Sequence, residues 1–188
     1  MKLLLGSQSP RRQQLLSMLD IHFRVVHIDC DEHFPADLKR GAIPMYLATA
    51  KAQAYHERLD TDEILLTADT IVWVEKYGKM LGKPSCREEA QEMLRMLSGR
   101  THQVYTGVRL TSLKQNYTFP CRTDVSFRKL QSAEIDYYVD TYKPFDKAGA
   151  YGIQEWIGAT ACTAIRGSYF NVMGLPTHEV AAALKLFL

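Results

Sequence analysis

A mixed α/β fold built on one sheet is what this chain predicts, and three observations lead there. Apolar, β-branched stretches alternate with stretches of helical period. One pair of strand-like stretches is joined by a short polar turn. No repeat or low-complexity linker divides the 188 residues. Strands alternating with helices, plus one hairpin, make a mixed sheet with helices on both faces. The length suits one well-buried domain over 1–188 and is short for two.

The elements follow in order. KLLL (2–5) reads as a short buried strand. Residues 9–19 read as a helix with Ser9 as N-cap, Pro10 at the first helical position, and Leu15, Leu16 and Leu19 as its apolar stripe. FRVVHID (23–29) reads as a strand leading into an acidic loop with Asp29, Asp31 and Glu32. Pro44 opens a second helix, with Tyr46, Leu47, Ala50 and Ala54 on one face. EILLTADTIVWVE (63–75) reads as a central strand interrupted by Asp69, followed by a turn at KYGKM and a loop at LGKP. Ser85 and Glu88 form a capping box for a helix with Ala90, Met93, Leu94 and Leu97 as its stripe and Gly99 as its stop. HQVYTGVRLTSL and NYTFPCRTDVSFRKL form the hairpin around Lys114 and Gln115. Ser132 starts another helix, and the glycine-rich KAGAYGIQEWIGA follows it. TACTAIRGSYFNVMGLP reads as a strand and turn, and THEVAAALKLFL as a closing helix.

Composition narrows the function. A net charge of +2 with no basic stripe speaks against nucleic acid. No apolar run approaches the ~18 residues of a membrane span, and MKLLLGSQSP is too briefly apolar for a signal peptide. Cys30, Cys86, Cys121 and Cys162 are scattered with no C-x-x-C pair, which reads as free thiols in a reducing cytoplasm. No Walker A, G-x-G-x-x-G or G-x-S-x-G motif occurs.

What chemistry there is starts at LLLGSQSPRRQQLLSML (3–19). A strand, a tight Gly-Ser loop and a helix N-terminus make an anion site of free N–H groups and helix dipole. Arg11 and Arg12 in the first turn oppose that dipole by a few tenths of a kcal/mol each. They recover this if a phosphate chain binds, since guanidinium pairs with phosphate oxygens in bidentate fashion. Ser7 and Ser9 add hydroxyls. The alternative is a capped helix with solvated arginines. Asp69 is the second anomaly, because a carboxylate inside an apolar run is costly unless paired or metal-bound. Either it accepts backbone hydrogen bonds in a β-bulge, or it stands at the carboxyl edge of the sheet, where α/β enzymes place their sites. There it could bind a divalent cation or take a proton from water. The loop IDCDEHF is either solvated or offers carboxylates to a hard metal. Lys51 and Lys83, taken singly, read more readily as surface lysines than as ligands. AGAYGIQ is a plain turn or a place where backbone passes close to a ligand.

In this order, the segments SQSPRRQQLL, IDCDE, LATAKA, LTADTIV, LGKP, MLRMLSGRTHQVYTGV, TDVSFR, DKAGAYGIQ and GSYFNVMGLP resemble the Maf family of nucleoside triphosphate pyrophosphatases. The resemblance implies an elongated, twisted mixed sheet flanked by helices, like that of inosine triphosphate pyrophosphatases, with a deep nucleotide cleft. It implies cleavage of a nucleoside triphosphate into monophosphate and pyrophosphate with a divalent cation, Mg²⁺ or Mn²⁺. Carried over, Asp69 is the proton acceptor and a metal ligand with Glu32. Ser7, Arg11, Arg12, Lys51 and Lys83 hold the substrate. Arg11, Thr70 and Gln154 stand where subfamilies differ, and their combination is similar to the branch acting on dTTP and UTP. The branch acting on 7-methyl-GTP has Trp, Gln and Glu at those places. An amide such as Gln154 can read both the donor and acceptor edge of a pyrimidine. The family's members are commonly dimers, which implies a homodimer. Its early link to septum formation implies an alternative role as a regulatory binding protein, and another non-canonical nucleotide is an alternative substrate. Asp20 stands where a glycine usually ends the first helix, and Trp156 where small residues are common.

Overall fold

In a computed structural model that describes residues 2–187, seven strands form one mixed sheet. The strands are β1 (Lys2–Leu5), β2 (Phe23–Val25), β3 (Glu63–Val74), β4 (Lys79–Leu81), β5 (Thr101–Thr111), β6 (Asn116–Phe127) and β7 (Cys162–Arg166). Their order is β2-β1-β3-β5-β6-β7, with β4 paired to β3 off this path. The helices are α1 (Pro10–Ser17), α2 (Ala42–Tyr55), α3 (Arg87–Leu97), α4 (Ser132–Tyr142), α5 (Trp156–Ala161), α6 (Tyr169–Met173) and α7 (Thr177–Leu184). The expected α/β class with a mixed sheet is what forms. The expected closing helix ends in a 3₁₀ turn at Lys185–Phe187, and Leu188 lies outside the described residues.

The chain forms two compact units. The first comprises the residues up to Thr70, Thr106–Cys121 and those from Gly174 onward. In it β1 pairs in parallel with β2 and with β3, Leu5 standing opposite Val25 and Leu66. Leu4, Val26, Ala52, Tyr55, Leu59 and Leu65 pack there as one buried cluster. Gly107 lies under α2, where a Cβ would come within 2.3 Å of the Pro44–Met45 backbone. The second unit comprises Ile71–Tyr105 and Arg122–Met173. In it the stripe of α3 (Ala90, Met93, Leu94 and Leu97) packs with Ile135, Tyr138 and Val139 of α4 and with Phe127.

Several expected boundaries shift for visible reasons. The strand expected over 23–29 ends at Val25, because β1 offers it no partner beyond Leu5. Helix α2 starts at Ala42, two residues before Pro44, with Pro44 still in the first turn where its missing N–H is harmless. Its inward face carries Leu47, Ala48, Ala52 and Tyr55, while Tyr46 and Ala54 of the expected face are exposed. KYGKM is not only a turn. Gly78 takes a left-handed conformation (φ 55°) and the chain returns as β4 along the end of β3. Ser85 and Glu88 form no capping box, since α3 begins one residue later than that box requires. Glu89 instead reaches back to the Ser85 N–H and hydroxyl, at 2.6 and 2.7 Å. Within the expected strand and turn near the C-terminus, Tyr169–Met173 is helical, its first turn held by the Ser168 hydroxyl, which accepts from the Asn171 N–H. Asp20 holds φ 53°, the left-handed value a glycine would take there. Trp156 packs edge-on against Tyr137, with ring centres 5.1 Å apart.

Candidate active site

The first unit assembles its site from the carboxyl end of β1. The chain leaves β1 at Gly6, where a Cβ would lie 2.4 Å from Ile28 and 2.9 Å from Thr67, so only glycine fits. Gln8 anchors the loop by donating to the Val26 carbonyl at 3.3 Å. Ser9 then caps α1, its hydroxyl accepting from the Arg12 N–H at 3.5 Å, and Pro10 opens the helix. No acidic residue stands in the first turn of α1. The positive dipole end of α1 is therefore not met by a carboxylate of its own first turn.

Arg12 is held by that same turn. Its Nε donates to the Gly174 carbonyl at 2.8 Å, one terminal nitrogen to Ser7 Oγ at 3.3 Å, and the other to Thr70 Oγ1 at 3.0 Å. Every acceptor is neutral. Burial pulls the Arg12 guanidinium below the ordinary arginine value, the charge of Asp69 works the other way, and the neighbouring Arg11 adds to the lowering. A half-buried guanidinium with no carboxylate in pairing range among the described residues is a cation waiting for an anion. Three of its five N–H groups are used, which leaves one on each terminal nitrogen.

Lys51 stands one turn beyond Ala48 on the inward face of α2, so its side chain is only 14 % exposed. Its ammonium meets Asp69 Oδ1 at 2.7 Å and Glu32 Oε1 at 2.9 Å. The placement follows from strand geometry. Thr67 and Asp69, two apart on β3, share a face. Thr67 donates to the Ala48 carbonyl at 2.7 Å, which fastens α2 against that face and brings Lys51 over Asp69. Burial opposes the charge on Lys51, but Asp69 and Glu32 outweigh it and hold the ammonium above the ordinary lysine value. Asp69 lies within β3 and not at its carboxyl end. The strand β3 itself runs on, but its parallel neighbour β1 ends opposite Leu66, three residues short of Asp69. Asp69 Oδ2 has no hydrogen-bond partner among the described residues.

The carboxylates of Glu32 and Asp69 therefore already converge on one cation. Among the described residues no cluster of three or more carboxylate, imidazole and thiol groups could hold a metal ion. Two hard carboxylates plus substrate phosphates and water is a donor set that suits Mg²⁺ or Mn²⁺, so the residues fit such an ion.

Lys83 and Gln154 belong to the second unit. Lys83 is exposed in the loop between β4 and α3, where Gly82 accepts a hydrogen bond from the Gly149 N–H at 3.0 Å. Gln154 is exposed on a turn and lines a groove of about 540 Å³ with Ala159, Thr163, Ile165 and Tyr169. The turn is braced from behind. Glu155 accepts from the Tyr138 hydroxyl and pairs with Lys147 at 3.1 Å, while the Gly152 N–H donates to Tyr138 at 3.0 Å. Burial, with Glu155, pushes the Tyr138 phenol well above its usual value, so it stays a donor. Trp156 does not line the groove. Ser7, Arg12, Glu32, Lys51, Asp69 and Thr70 are thus tied into contacts in one unit, with Arg11 beside them. Thr106 and Gly174 complete the arrangement and were not singled out by residue type. The glycine pair of YTGV and MGLP was their only local signal.

The sequence model of the family described as Maf-like protein matches residues 2–187. A dTTP/UTP pyrophosphatase of Porphyromonas gingivalis is 51% identical, covering 99% of this chain and 94% of that protein. One of Bacteroides thetaiotaomicron is 50% identical, covering 98% and 95%. One of Flavobacterium johnsoniae is 47% identical, covering 95% and 91%. Among solved structures, a nucleoside-triphosphatase (dITP/XTP pyrophosphatase) of Mycobacterium abscessus shares the fold with a TM-score of 0.50 at 15% identity, over 99% of this chain and 95% of that one.

Proposed function

The chain belongs to the Maf family, and from that premise we propose that it hydrolyses nucleoside triphosphates, dTTP and UTP foremost, to the monophosphate and pyrophosphate. The observation that carries the reading is Arg12, a seated guanidinium with only neutral partners beside an Asp–Lys pair. The names of the half-identical relatives supply the base.

In this reading the triphosphate lies against the first turn of α1. The two remaining N–H groups of Arg12 form a fork for phosphate oxygens, with Arg11 and Lys83 as further cations. Asp69 Oδ1 is fixed by Lys51, so Oδ2 faces the attacking water in a set direction and accepts its proton. Glu32 and Asp69 would hold a divalent cation, which when bound polarises the α-phosphoryl group. The cations of α1 and α2 meet the charge that develops on the departing pyrophosphate, so these residues act mainly by position and electrostatics. Gln154 presents an amide to the donor and acceptor edge of a pyrimidine.

The test is pyrophosphate release from a panel of canonical and modified triphosphates, with Mg²⁺, with Mn²⁺ and with no metal. Release from dTTP and UTP above the rest, dependent on either ion, is expected. Orthophosphate as the product, or a purine triphosphate as the preferred substrate, would contradict the reading.

A further inference from the structure

We propose that Thr106 and Thr70 are a hydroxyl pair that positions Arg12, so that Thr70 serves the phosphate chain rather than the base. The inference rests on the phosphate role of Arg12 given above. Thr106 lies on β5, fully buried, and its hydroxyl is 2.9 Å from that of Thr70. Thr70 Oγ1 accepts from Arg12 at 3.0 Å and donates to the Gly174 carbonyl at 3.4 Å. The same carbonyl accepts from Arg12 Nε at 2.8 Å.

Thr106 makes a further contact besides these, and one arrangement of protons satisfies the four contacts named. Thr106 donates to Thr70, Thr70 donates to the Gly174 carbonyl, and the oxygen of Thr70 is left to accept from Arg12. A buried hydroxyl is costly without a partner, and valine would fill the same space in a strand at no such cost. Thr106 therefore keeps a hydroxyl for polar contact, and its contact with Thr70 is the one that reaches Arg12. Successive strand residues point to opposite faces, and Asp69 and Thr70 accordingly meet different cations, Lys51 and Arg12. The seat also decides which edge of the guanidinium remains. Gly174 takes Nε, Thr70 and Ser7 take one N–H of each terminal nitrogen, and one N–H on each terminal nitrogen is left for phosphate oxygens. Without the hydroxyl pair, Arg12 keeps its charge but loses its fixed aim.

The experiment compares Thr70→Val, Thr106→Val, Thr70→Ser and Thr106→Ser. Binding of inorganic tripolyphosphate, which has no base, is measured by calorimetry, and KM and kcat are measured for dTTP, UTP and the purine triphosphates. Each valine variant is expected to weaken tripolyphosphate about tenfold and to lower kcat/KM for every nucleotide by the same factor, with their ranking unchanged. Each serine variant, which keeps the hydroxyl, is expected to return to within about twofold of the parent. Thermal melting checks that each variant folds. If Thr106→Val fails to fold, Thr70→Val at its half-buried position carries the test. Unchanged tripolyphosphate binding, serine variants as weak as the valine ones, or a reordered nucleotide ranking would each overturn the proposal. A parent protein that binds tripolyphosphate but cleaves no triphosphate would sink the pyrophosphatase reading alone, and the binding series would still decide the positioning role.

Discussion

Each unit holds a lysine between two carboxylates, yet the two clusters do different work. Lys51 meets Asp69 and Glu32, and Lys147 meets Asp146 and Glu155, with the lysine side chains 14 % and 10 % exposed. In the second unit the cluster is closed on itself. Glu155 also accepts from Tyr138, and its carboxylate fills the space over Gly152, where a Cβ would come within 2.8 Å of it. The result is a braced turn that presents Gln154. In the first unit Asp69 keeps one oxygen without a hydrogen-bond partner among the described residues, and Arg12 stands nearby with only neutral acceptors among them. A buried ion pair alone does not mark a site. What distinguishes the first cluster is the charge and the lone pair that its own fold leaves unspent.

The comparison breaks most visibly at Asp69. Asp69→Asn is expected to lower pyrophosphate release from dTTP by about 10²–10⁴-fold, the usual worth of a general base, and to lower the melting temperature as well, because Lys51 keeps only Glu32 as a charged partner. Near-parental turnover would remove Asp69 from the mechanism. Lys51→Met should come next. It leaves two carboxylates converging without their cation, so kcat/KM is expected to fall about 10²-fold and stability by about 3 kcal/mol, read from urea unfolding. Lys147→Met sharpens the contrast. It loosens the turn bearing Gln154, so the ranking of bases is expected to flatten while tripolyphosphate affinity stays within about twofold, by calorimetry. Gln154→Glu should likewise reorder bases, not phosphate binding, and an unchanged ranking would refute its part.

The smallest effect is expected at a more exposed pair, where Glu134 accepts from Arg128 at 2.7 Å and caps α4 through the Gln131 N–H. Arg128 and the capping N–H hold the Glu134 carboxyl down at about 2, from its ordinary 4.5. A depressed carboxyl contributes stability above its ordinary value and loses it as pH falls toward the folded one. Glu134→Gln should therefore cost about 1 kcal/mol at pH 7. The parent and variant melting curves are expected to converge between pH 4.5 and about 2.

Local chemistry made much of this legible. Ser9 and Pro10 announce α1, and the apolar run of 63–74 announces β3 with Asp69 as its anomaly. Helix α2 hid its inward face because alanines at 42, 48, 50, 52 and 54 give little contrast around the helix. Taken singly, Lys51 therefore reads as a surface residue, and only the family resemblance places it at the substrate, although it falls in line with Ala48 and Tyr55. Strand β4 is three residues long, too short for a period of two to register. The aromatic residues of 169–173 favour strands locally, and a serine cap with the buried Asn171, which donates to the Val104 carbonyl at 3.1 Å, overrides them. The seat of Arg12 joins residues 58 and 162 positions away in the chain, so no sequence window contains it.

The most direct measurement is hydrolysis of dTTP in oxygen-18 water, with both products weighed by mass spectrometry. Attack by water on the α-phosphoryl group puts the label in dTMP and none in pyrophosphate. Label in pyrophosphate, or release of labelled orthophosphate, would contradict the mechanism built on Asp69 and Arg12.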